Sequence, residues 1–162
     1  MLVVSDTTPL NYLVLIGSEH VLPVLYGSIF VPSQVIRELC HAKTPTRVRA
    51  WAEQPPDWVQ VREGDVSMFP RLDPGEAAAL ALAVEIRANA ILADDGEARS
   101  VATDLGLIPI GTLGVLAEAH NSSLLDFESA ISALRQTNFH LHENVVESAR
   151  KTLLFRADEK GS

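Results

Sequence analysis

Four short apolar runs, each followed at once by a turn or a helix start, constrain this chain more than any other feature. They are Leu2-Val3-Val4-Ser5, Ile29-Phe30-Val31, Ala90-Ile91-Leu92-Ala93 and Ile108-Pro109-Ile110. None alternates apolar with polar residues. A strand apolar on both faces must be covered on both faces, which is the condition of a parallel sheet wrapped by helices. The intervening segments read as helices: Leu10 to Ile16, Glu19 to Tyr26, one starting at Pro32-Ser33, one opened by Asp73-Pro74-Gly75-Glu76, and another at Thr112 to Ala119. Thr7 and Thr8 are suited to cap the first of these, with Pro9 in its opening turn. A further run, Trp58-Val59-Gln60-Val61, alternates and suits a sheet edge. The expected fold is α/β, three layers (α/β/α) around a mainly parallel sheet.

The chain has 162 residues, 47% of them apolar and 21% charged, as expected of one ordinary soluble domain. The expectation is a single domain over 1–162: a core over about 2–120, C-terminal helices over about 121–155, and a disordered tail over 156–162. Thirteen basic residues against twenty-one acids leave a formal charge of −8, which argues against a generic nucleic-acid-coating protein but not against an enzyme with an acidic metal site. Cys40 is the sole cysteine, so an intramolecular disulfide and a cysteine-based zinc cluster are both excluded. No apolar run approaches the length of a membrane span, and the start MLVVSDTTPL lacks a basic n-region. A cytoplasmic location is the expectation.

In parallel sheets, function gathers beyond the carboxyl ends of the strands. Asp6 follows the first strand and Asp94-Asp95 follow a later one, while Glu38 and Glu76 lie on helices after strands. Acids brought to one pocket repel one another and need a cation. Hard oxygen donors without Cys or paired His select Mg²⁺ or Mn²⁺, a site suited to hydrolysing phosphodiesters. Each acid also has a structural reading: Asp6 and Asp94-Asp95 as helix caps, Glu76 as a complement to its helix dipole, Glu38 as a solvated helix acid.

In order along the chain stand Ser5-Asp6-Thr7-Thr8-Pro9-Leu10, Val31-Pro32 through Glu38, Gly75-Glu76 through Ala83, Ile91 through Arg99, and Gly111 through Leu116. Together these resemble the PIN-domain family of ribonucleases, in its short prokaryotic DUF3368-type branch, over residues 2 to about 120. The resemblance implies an acidic Mg²⁺ or Mn²⁺ site that cuts single-stranded or loop RNA. Asp6, Glu38, Glu76 and one or both of Asp94 and Asp95 would hold the ion, with Thr7 and Thr112 orienting carboxylates or water through their hydroxyls. It departs from the family where T-x-D becomes Ala93-Asp94-Asp95, losing a hydroxyl. The resemblance further implies a toxin of a toxin–antitoxin pair, forming a homodimer and silenced by a small antitoxin-like protein.

Arg37, Lys43, Arg47 and Arg49, with Arg99 beside the aspartate pair, form a candidate phosphate-binding rim; the same charges also suit a solvated surface. Trp51 and Trp58 could stack on bases, though packing explains them as well. His140 and His142, two residues apart, are expected to point away from each other. Leu134, Phe139, Val145, Val146 and Leu153 are too many apolar residues to leave uncovered. Two other acid-cluster classes fail on single positions: an aspartate-nucleophile phosphatase needs an acid where Thr8 stands, and a phospho-receiver needs a lysine where Gly111-Thr112 stand. A PIN fold that binds RNA or a protein without cutting is the alternative.

Overall fold

In the computed structural model the backbone is described for residues 1–161 and the side chains for 1–153. The tail expected over 156–162 falls outside the described side chains. The chain forms two compact units, Met1–Gly111 and Thr112–Ser162.

The first unit is built on five parallel strands in the order β3-β2-β1-β4-β5. These are β1 (Val3–Ser5), β2 (Ile29–Pro32), β3 (Val59–Arg62), β4 (Ala90–Leu92) and β5 (Ile108–Ile110). β1 is central, pairing Val3 with Ile29 on one side and with Ala90 on the other. Val3, Val4, Ile29, Val31, Ile91 and Leu92 are fully or almost fully buried, as runs apolar on both faces require. Each such aliphatic side chain contributes about 1.5–3 kcal/mol relative to exposure. β3, the alternating run, lies at the edge and leaves Val61 exposed.

Helices α1 (Thr7–Leu15), α2 (Val21–Tyr26), α3 (Ser33–Leu39), α5 (Pro74–Glu85) and α6 (Gly96–Asp104) flank the sheet. α5 carries five alanines and is buried nearly all round from Ala77 to Ala83. Such a helix belongs in the interior, where small side chains let it lie close to β1, β2 and β4.

Two local expectations are corrected. α1 is capped by Asp6, whose carboxylate accepts from the Thr7 N–H, and Thr7 is already helical. A carboxylate in extended backbone just outside the helix outcompetes hydroxyls one residue further in. Residues 46–53, which carry Arg47 and Arg49 of the expected rim and lie outside every expected helix, form helix α4 (Thr46–Glu53). Pro45 stands at its cap, where a missing N–H costs nothing, and Val48 and Ala52 supply a buried i, i+4 stripe.

The second unit contains α7 (Thr112–Asn121), α8 (Phe127–Arg135) and α9 (Glu143–Gly161). α7 packs against both others. Asp126 caps α8 by accepting from the Ser129 N–H, and His120 accepts from the Phe127 N–H. Leu134, Val146 and Leu153 are buried, whereas Val145 stays exposed. Arg135 pairs with Glu143 at 2.6 Å, and Arg150 bridges Glu128 at 2.6 Å and Glu147. His140 and His142 do not point apart: no regular strand holds them, and their rings meet edge to face at 5.0 Å.

Candidate active site

The central position of β1 fixes the site. Its pairing with β4 continues past the strand, where the Asp6 N–H donates to the Leu92 carbonyl at 3.0 Å. Asp6 and the Asp94-Asp95 pair therefore emerge at the same end of the sheet. Asp6 is only 4% exposed, and its carboxylate accepts from the Thr7 N–H at 2.7 Å.

Glu38, near the end of α3, reaches the same end. Thr7 Oγ1 donates to Glu38 Oε2 at 2.7 Å. Gly75, buried in the first turn of α5, makes this approach possible. A Cβ there would stand 2.6 Å from Glu38 Oε1 and 3.0 Å from Thr7 Oγ1. Any side chain there would displace the Glu38 carboxylate from its place beside Thr7. A second glycine acts alike on the β5 side: a Cβ at Gly111 would lie 3.0 Å from Asp94 Oδ1 and 3.3 Å from Arg99 Nη1. Asp95 caps α6, accepting from the Ala98 N–H at 3.1 Å.

The electrostatics tie these acids together. Burial pushes the Asp6 carboxyl up to about 7, opposed by the Thr7 N–H and reinforced by the charges of Glu38, Asp94 and Asp73. Partly buried Glu76 is pushed up to about 8, first by desolvation, then by Asp6, Asp95 and Asp73. Asp6 thus feels Glu38 and Asp94, and Glu76 feels Asp6 and Asp95. Thr112 opens α7 in the second unit and is buried there.

Asp73 is the acid that sequence reasoning missed. Asp-Pro before a helix reads as a cap, yet Asp73 makes no capping hydrogen bond and instead shares one with Glu76. Its spacing, three residues before Glu76, carried the signal, because the two fall on one side of the first turn. Tyr12 is a second omission: burial and the charge of Asp94 both raise its phenol.

The basic residues do not form one rim. Arg99 is at the acidic end, donating to the Ala93 carbonyl at 2.9 Å. Arg47 lies instead against Gly17, beyond the far end of α1, within 2.8 Å of where a Cβ there would stand. Arg49 donates to the Ala42 carbonyl, and Arg37 and Lys43 are exposed.

This arrangement, a buried aspartate at the end of a central parallel strand facing acids from three other elements, is matched at the level of sequence. A family model described as a PIN domain (DUF3368) covers residues 2–154. The chain belongs to the PIN-domain family. PIN domains are generally nucleases, and they generally use divalent metal ions. No curated protein and no solved structure matches the chain. Among the described residues, no helix of this PIN domain is long and apolar enough to cross a membrane.

The donor set fits a hard divalent ion: carboxylate oxygens and the Thr7 hydroxyl gather here, and two of the acids are raised by burial and by neighbouring like charges. Among the described residues no group of three converges as a ready cage.

Proposed function

We propose that the protein is a Mg²⁺- or Mn²⁺-dependent endoribonuclease, acting as the toxin of a toxin–antitoxin pair. The observation that carries the reading is Asp6, a nearly fully buried carboxylate held among like charges, in a family of nucleases. An arrangement that raises acids this far costs stability and is retained where the acids serve a ligand.

Asp6, Glu38, Glu76, Asp94 and Asp95 would hold the ion. Bound there, the ion would lower the pKa of water and neutralise charge growing on the phosphate. The chain's own residues do the rest. Thr7 fixes the Glu38 carboxylate through its hydroxyl. Asp95 is held by the α6 N-terminus, so its orientation is set by the backbone. Asp73, hydrogen-bonded to Glu76, can hold a proton at that carboxylate. Arg99, anchored on the Ala93 carbonyl, puts one positive charge beside the acids for a substrate phosphate.

An antitoxin-like protein presenting Arg or Lys would satisfy the same carboxylates and silence them. The homodimer belongs to the same reading. The test is cleavage of total cellular RNA with Mn²⁺ or Mg²⁺, mapping new 5′ ends, beside EDTA and Asp6→Asn controls. Discrete ends that vanish in both controls are expected. RNA shifted in a gel without new ends would replace the nuclease with a non-cutting binder, a reading that the missing hydroxyl at Ala93 favours.

A further inference from the structure

A second polar feature lies at the opposite end of the sheet. Trp58 immediately precedes β3, and its carbonyl accepts from the Ile29 N–H at the start of β2. Trp51, on α4, meets it with ring centroids 6.0 Å apart and planes tilted by 49°. With Glu19, His20, Gln54 and Pro56 the two indoles line an open pocket of about 310 Å³. Glu19 Oε2 is closed off from solvent and has no hydrogen-bond partner. A carboxylate oxygen so placed is costly, because its lost hydration is not replaced.

We infer that this pocket binds the guanidinium group of an arginine side chain presented by a partner protein. Three observations select that ligand. The indole faces attract a cation, and tryptophan does so best of the aromatic residues. Glu19 supplies the negative charge behind the indoles, and a guanidinium is planar enough to lie on an indole with its charge facing that carboxylate. The indoles also pack directly on each other. At 6.0 Å and 49° they leave no parallel slot for a nucleobase, and Glu19 repels a phosphate chain. The site is separate from the acidic cluster, since the two lie beyond opposite ends of the same strands, and it does not depend on the nuclease reading.

Trp51 and Trp58 are the only tryptophans in the sequence, so fluorescence excited at the indole edge reports on this pocket alone. The full chain is titrated with a blocked tripeptide bearing one central arginine, and with its citrulline counterpart, which keeps the shape and loses the charge. Saturable fluorescence change with arginine and none with citrulline is expected. Glu19→Gln should weaken the arginine response about fivefold or more, whereas Asp6→Asn should leave it unaltered. An equal response to citrulline, or an unchanged one in Glu19→Gln, overturns the inference. Should Glu19→Gln fail to fold, the citrulline comparison on the unmodified chain still decides. A saturable response to a short oligouridylate, with none to arginine, would give the pocket to a nucleobase instead.

Discussion

Two sets of acids, one in each unit, are perturbed in opposite directions. In the second unit Glu128 and Glu143 are held below the ordinary glutamate value by hydrogen bonds from Arg150 and Arg135. In the first, Asp6 and Glu76 are raised by burial and by neighbouring acids. The first set stabilises the fold only when it carries protons; the second, only when it does not. Surface pairs such as those of the second unit add little and ask for nothing from outside. The cluster in the first unit is a cost that a ligand can remove, which marks it as the place to look for chemistry.

The largest effect expected is that of Asp6→Asn. Asparagine caps a helix as well as aspartate, so α1 survives. RNA cleavage should fall about a hundredfold or more, since each 1.36 kcal/mol of lost stabilisation is tenfold in rate. The metal-free variant should melt higher than the parent at pH 8, having lost a buried charge. A variant that still cuts at the parental rate would remove Asp6 from the site.

Next comes the response to pH. Asp6 and Glu76 have folded values above their unfolded ones, so their contribution is fully present below about pH 4 and is lost as pH rises through 7 to 8. The metal-free Tm should therefore fall between pH 5 and 8.5. Mg²⁺ or Mn²⁺ should restore it more at pH 8 than at pH 5. At a hundred times its dissociation constant a ligand adds about 2.7 kcal/mol. Differential scanning fluorimetry with and without EDTA reads both trends, and a flat metal-free profile would contradict the raised acids. The acids of the second unit contribute with the opposite sign, their effect being lost only as pH falls below the ordinary glutamate range.

Gly75→Ala separates fold from site. Alanine favours the helix over glycine, so Tm should hold or rise. The added Cβ must displace Glu38, which lies 2.6 Å away, and break its hydrogen bond to Thr7. Cleavage should drop about tenfold, roughly 1.4 kcal/mol. Unchanged cleavage would mean that Glu38 is not needed where it stands. The smallest effect is that of Arg150→Gln, which breaks the pairs with Glu128 and Glu147. A barely lowered Tm and unaltered cleavage are expected, and a large loss of either would show that the paired acids matter more than their exposure suggests.

The parallel sheet was legible because runs apolar on both faces admit few other arrangements. The family was legible because five motifs stand in order. α4 was hidden because Pro45, Pro55 and Pro56 bracket a helix whose only buried positions are Val48 and Ala52, too short an apolar stripe to stand out. Asp73 was hidden for a different reason. Whether a helix-start aspartate turns to the backbone or to a neighbouring carboxylate depends on the charge around it, and that charge comes from strands far away in sequence. The basic rim failed in the same way: Arg47 and Arg99 both belong to strand-to-strand connections, yet the connections place them at opposite ends.

The strand order also sets when the acidic cluster can exist. β1 is made first but needs β4 beside it, and Asp6 meets Asp94 only after residue 94 has left the ribosome. Until then Asp6 lacks both the Leu92 carbonyl that its N–H meets and the charge of Asp94. During its own translation, then, a chain held at the ribosome among RNA carries the parts of the cluster without its geometry, and the delay is built into the order of the strands.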